Sequence, residues 1–195
     1  MNPPAIVLYG PPAAGKDTIS EALTGLDHRY VLFEKLKIAT EYGDRPGYRL
    51  ATEKELAEMR ARDLVVYENA RYNNRYVVDR PGLAAAFATG DVPVVHMGQV
   101  AGVRALRAYP ATWLRVLLWC PRDVTARRAR HRGSPDVDAR LTAWDETLTD
   151  LQASDPDDFD LRIQTDQHEP AESASLIDAA LTAALARTSA PGADR

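Results

Sequence analysis

The sequence predicts an α/β fold in which a parallel sheet is flanked by helices on both faces, and three observations carry that prediction. Short apolar runs at 5–9, 30–33, 92–96, 114–120 and 161–163 alternate with helical stretches, the pattern that builds parallel strands through right-handed crossovers. The first run is followed at once by Gly10-Pro11-Pro12-Ala13-Ala14-Gly15-Lys16, a G-x-x-x-x-G-K phosphate-binding loop at a strand–helix turn. A chain of 195 residues with 45% hydrophobic and 27% charged residues supports one sizeable core and is neither disordered nor membrane-like in composition.

The elements follow in order. A helix over 16–23 leads through Gly25 and Asp27 to a second strand at 30–33. Charges mixed with Gly43, Pro46 and Gly47 make 34–47 a loop. Thr52-Glu53-Lys54-Glu55 is a capping box that opens a helix running to 62. A short strand at 64–68 faces a partner at 72–78 across a turn. Pro81 and Gly90 bracket a small-residue helix over 83–89. Strand 92–96, helix 100–108 and strand 114–120 come next. Pro121 opens an arginine-rich helix that ends at Gly133-Ser134-Pro135, and a further helix covers 136–153. An acidic turn, a last strand at 161–163 and a helix over 171–187 complete the domain, with 188–195 a disordered tail.

The loop's residue types follow from its chemistry. Gly10 and Gly15 let the backbone curl so that successive N–H groups of Gly10, Pro11, Pro12, Ala13, Ala14 and Gly15, the prolines excepted, surround phosphate oxygens. The start of the following helix adds the positive end of its dipole, and Lys16 reaches the β- and γ-phosphates. Asp17 stands where a Ser or Thr usually holds magnesium. Two readings of it stay open: a metal ligand, direct or through water, or an anion that favours the helix N-terminus. Thr18 supports phosphate or metal.

Bulk charge excludes other classes. The formal net charge of -4 offers no basic field for nucleic acid. One cysteine, Cys120, precludes an internal disulfide framework. No apolar run approaches the roughly 20 residues needed to span a bilayer. The expectation is a cytoplasmic protein, monomeric or homodimeric, with no membrane or nucleic-acid partner.

Taken together these motifs resemble guanylate kinase and its relatives among the P-loop nucleoside-monophosphate kinases, over 6–181. The resemblance implies a P-loop kinase core (1–32, 81–127 and 141–187), an inserted nucleoside-monophosphate-binding subdomain at 33–80 and a short lid at 128–140. Arg45-Pro46-Gly47-Tyr48-Arg49 is similar to the family's acceptor-phosphate segment, which makes Arg45, Tyr48 and Arg49 a clamp; a solvated basic turn is the plainer reading. Glu68 matches the family's base-reading carboxylate and Tyr76 a phosphate-contacting tyrosine, although Glu68 could equally pair with Arg71 or Arg75. Arg128-Ala129-Arg130-His131-Arg132-Gly133 with Arg140-Leu141 resembles the lid, so Lys16, Arg128, Arg132 and Arg140 are the expected catalytic cations. Asp166 lies where the family contacts adenine.

The strand end Val94-Val95-His96-Met97-Gly98-Gln99 departs from the family. His96 stands in place of an acid, with Gln99 able to take over a hydrogen bond. This strand end and the Gly-Lys-Asp loop also resemble ribose bisphosphokinases. The implied activity is phosphoryl transfer from ATP, with Mg²⁺, to a nucleoside monophosphate such as GMP. The alternatives are a kinase of a ribose 1,5-bisphosphate-like sugar phosphate or specialised metabolite, and a non-enzymatic interaction module of the same shape.

Overall fold

The computed structural model describes residues 2–38, 47–71, 74–134 and 136–189. Its elements are β1 (Pro4–Tyr9), α1 (Lys16–Leu26), β2 (Tyr30–Leu32), β3 (Lys35–Ile38), β4 (Tyr48–Ala51), α2 (Glu53–Ala61), β5 (Val65–Arg71) and β6 (Asn74–Asp79). They continue as α3 (Arg80–Ala88), β7 (Val92–Met97), α4 (Val100–Arg107), β8 (Thr112–Trp119), α5 (Arg122–His131), α6 (Val137–Gln152), β9 (Leu161–Gln164) and α7 (Pro170–Ser189).

The main sheet has the order β2-β7-β1-β8-β9 and every pairing in it is parallel. Parallel strands are covered on both faces, so β1 reads as one continuous apolar run from Ala5 to Tyr9, all fully buried. Alternation splits that run between two layers. Ile6 and Leu8 join Ile19 and Leu23 of α1 and Ile177 of α7. Val7 and Tyr9 join Leu83 of α3 and Val103 and Leu106 of α4. β1 lies at the centre, which places the turn after it at the carboxyl edge of the sheet, where ligands of open α/β folds bind.

A second sheet, β4-β3-β6-β5, is built from residues 35–79. Leu36, Ile38 and Val77 pack it on Leu56 of α2. The capping box of α2 forms: Thr52 Oγ1 accepts from the Glu55 amide at 3.2 Å and Glu55 Oε2 accepts from the Thr52 amide at 2.6 Å.

Two expectations are corrected. Part of the segment expected as a loop, 34–47, forms β3, a four-residue strand half made of lysine, which gave no apolar run to read. Residues 188–189 of the expected tail belong to α7, where Thr188 Oγ1 donates to the Ala184 carbonyl at 3.1 Å; 190–195 lie outside the described residues.

Candidate active site

The loop between β1 and α1 is held against β8. A Cβ on Gly10 would sit 2.1 Å from the Leu118 carbonyl oxygen, so no side chain fits there. Ala13 and Gly15 take positive φ, 60° and 91°, conformations that turn backbone amides inward. Gly15 is the N-cap of α1 and brings no side chain across its first turn. Lys16 Nζ donates to the carbonyls of Gly10 at 2.7 Å and Pro11 at 2.9 Å. The outer wall is braced by Thr125 Oγ1 on the Pro12 carbonyl (3.3 Å) and by Arg128 Nη1 on that of Ala13 (3.0 Å).

An inner cleft of about 270 Å³ opens between this loop and the second sheet. Lys16, Asp17, Lys35, Tyr48, Tyr67, Asn69, Tyr76, His96, Gln99, Arg132 and Arg140 line it. Four of these are lysine or arginine and one is a carboxylate, so a chain of net charge -4 concentrates positive potential here. Tyr48 and Tyr76 pack with ring centres 5.3 Å apart and ring planes tilted by 48°. Lys35 Nζ donates to the His96 carbonyl at 3.0 Å and lies 5.7 Å from the centre of the Tyr76 ring. Burial lowers its pKa to about 8.

His96 is neutral. Burial, followed by the charges of Lys16 and Lys35, pushes its pKa down to about 3. Its Nε2 lies 2.7 Å from Ser20 Oγ and its Nδ1 3.5 Å from Asp17 Oδ1. One tautomer satisfies both: Nδ1–H faces the Asp17 carboxylate and Nε2 accepts from the Ser20 hydroxyl. His96 therefore ties the start of α1 to the end of β7.

On the other side of the loop is a compartment of about 680 Å³, lined among others by Gly15, Thr18, Arg127, Arg128, Arg132, Thr165, Asp166 and His168. Arg132, the C-cap of α5, lines both spaces, as does Gly15.

The structure brings Lys16, Asp17, Tyr48, Tyr76, His96, Gln99, Arg132 and Arg140 into the inner cleft and Thr18 and Asp166 into the outer compartment. Three expected site residues are corrected. Glu68 is turned away from the cleft onto the α2 side, where Arg60 holds it through two hydrogen bonds of 2.7 and 2.9 Å; Tyr67 and Asn69 line the cleft in its place. Arg49 forms an ion pair with buried Asp79, donates to the Glu34 carbonyl at 2.9 Å and covers Phe33, so it braces the second sheet and does not line the cleft. Arg128 donates to Ala13 and to the Thr165 carbonyl at 2.6 Å, which commits its fork to the loop wall on the outer side. Arg45 lies outside the described residues.

Lys35 and Tyr67 were missed in the sequence. Lys35 had a detectable signal, a lysine in the short alternating run Lys35-Leu36-Lys37-Ile38. Among the described residues no group of three or more His, Cys, Asp or Glu side chains could hold a metal alone. The Asp17 carboxylate, with 73% of its side chain exposed to the cleft side of the loop, fits a magnesium ion that keeps waters and takes its remaining ligands from phosphates. Among the described residues no helix is long and apolar enough to cross a membrane.

No protein-family model matches the chain, and no curated protein matches it. In fold it is similar to guanylate kinase from Anaplasma phagocytophilum, with a TM-score of 0.63 at 17% identity over 93% of this chain and 86% of that one. It is also similar to a sugar kinase from Janibacter sp. HTCC2649, with a TM-score of 0.52 at 18% identity over 92% of this chain and 93% of that one. The fold is that of the P-loop kinases.

Proposed function

We propose that this chain is a kinase that transfers the γ-phosphoryl group of ATP to a small phosphorylated acceptor. The observation that carries the reading is the inner cleft itself: the loop backbone and Lys16 on one side, Lys35, Tyr48 and Tyr76 on the other, and Arg132 and Arg140 closing the end. In this reading the outer compartment takes the nucleoside of ATP beside Thr18, Arg128 and Asp166, and the phosphates cross the loop past Arg132.

Phosphoryl transfer asks the protein for positioning and charge neutralisation more than for covalent chemistry. Bound Mg²⁺ would neutralise the triphosphate, with Asp17 its protein ligand. Lys16 exchanges its two loop carbonyls for phosphate oxygens. Arg132 and Arg140 balance charge on the phosphoryl in flight. His96 stays neutral and orients Asp17, so it takes no proton. A phosphate acceptor arrives ionised and needs no base, and exclusion of water by closure would suppress hydrolysis of ATP.

Two acceptor classes fit this cationic cleft. A nucleoside monophosphate such as GMP is the first; a phosphorylated sugar is the second. Guanine presents N–H donors that call for a carboxylate. Glu68 faces away and neutral His96 replaces the acid, which favours the sugar phosphate. Calorimetric titration of ATP with Mg²⁺ tests the reading. Wild type should bind, and Lys16→Ala should bind about tenfold or more weakly for the lost charge-assisted contacts. No ATP binding by the folded wild type would sink it.

A further inference from the structure

We propose that Lys35 is the acceptor-recognising cation of the second sheet: its ammonium, beside Tyr48 and Tyr76, binds the anionic group that the acceptor already carries. The proposal deepens the kinase reading above and rests on it.

Arg49 of β4 is engaged by Asp79 and Glu68 of β5 by Arg60, and neither lines the cleft. Among the described lining residues, Lys35 is the cation that comes from the second sheet. It starts β3, and its ammonium sits under the Tyr76 ring with the His96 carbonyl as its acceptor, 3.0 Å away. An ammonium has three N–H donors, and a ring face and one neutral carbonyl do not compensate a charge taken out of water. Among the described residues no carboxylate lies within ion-pair distance of it. The depressed pKa has the same origin, burial without a counter-ion. An anion from the acceptor supplies the missing partner.

Position separates this role from that of Lys16. Lys16 belongs to the loop and follows the triphosphate, whereas Lys35 faces it from the other sheet, tied by the His96 carbonyl to the end of β7. A group held by Lys35 is therefore presented toward the loop rather than lying within it. The tyrosine pair gives this end of the cleft aromatic walls with hydroxyls, which suit a phosphate ester.

The test uses full-length protein saturated with ADP and Mg²⁺, so that the loop is occupied and a second anion has to bind elsewhere. Ribose 5-phosphate and GMP are titrated as probes into wild type, Lys35→Met and Lys35→Arg. Lys35→Met should bind ADP within about twofold of wild type, which shows that it is folded, and should bind the preferred probe at least about tenfold more weakly, one charge-assisted contact's worth. Lys35→Arg should recover most of that loss. Equal probe affinity in Lys35→Met and wild type would overturn the proposal, and so would uptake of neither probe by the ADP-loaded wild type. Failure of the wild type to bind ADP at all would instead remove the kinase reading beneath it.

Discussion

At the scale of single residues, the cleft is defined by which charges are already paired. Arg49, Glu68 and Arg128 carry the right chemistry for an active site, yet each is satisfied within the fold. Lys35 is the reverse case. Below about pH 8 it is charged and attracts a phosphate; above it the amine is neutral, so affinity for ribose 5-phosphate in the ADP-loaded protein should fall as pH rises through about 8. The titratable and charged groups that line the cleft with it are Lys16, Asp17, Tyr48, Tyr67, Tyr76, His96, Arg132 and Arg140. His96, with a pKa near 3, stays neutral throughout this window. Lys35→Arg should abolish the fall, because guanidinium keeps its proton; an unchanged pH profile in that variant would assign the titration elsewhere.

At the scale of elements, the strand–turn–helix of β1 and α1 was legible in the sequence because it is local: a buried strand, a glycine-bearing turn and a helix start, with nothing distant needed to define it. The face of β5 was not. A register shift between Val65 and Tyr67 interrupts its pairing with β6, and one irregularity of that kind exchanges the residues that face in and out. Family-like spacing alone therefore put Glu68 in the cleft, where Tyr67 and Asn69 stand. Arg49 shows the same limit. Its role depends on Asp79, 30 residues along the chain, which also accepts from the Gly82 amide at 2.8 Å to cap α3. Arg49→Met should cost about 1 kcal/mol in urea unfolding, a partly exposed ion pair's share, with the affinity of the ADP-loaded protein for ribose 5-phosphate held within about twofold. Normal stability with lost binding would return Arg49 to the clamp.

At the scale of the whole molecule, the parallel character of the main sheet was legible because its inner strands β1 and β7 are buried apolar runs, and arginine-rich α5 and the helix after it because their signals are composition and caps. The second sheet was legible only in part. β3 and β4 have four residues each and are specified by pairing rather than by their own sequence. The two sheets meet at the cleft through contacts between distant residues: Lys35 of β3 on the His96 carbonyl of β7, and Tyr67 of β5 donating from its hydroxyl to Gln99 before α4. Gly102 makes room for that tyrosine, since a Cβ there would lie 2.8 Å from its ring. In the proposed reading the phosphoryl group would pass beside Arg132, which lines both the inner cleft and the outer compartment. The measurement that tests this most directly is ADP release from ATP and Mg²⁺ in the presence of GMP, dGMP, AMP, CMP, UMP and ribose 1,5-bisphosphate, run on wild type and Lys16→Ala. The account predicts acceptor-dependent ADP release, fastest with the sugar phosphate and abolished in Lys16→Ala; release that persists in Lys16→Ala, or that no phosphorylated acceptor stimulates, would contradict it.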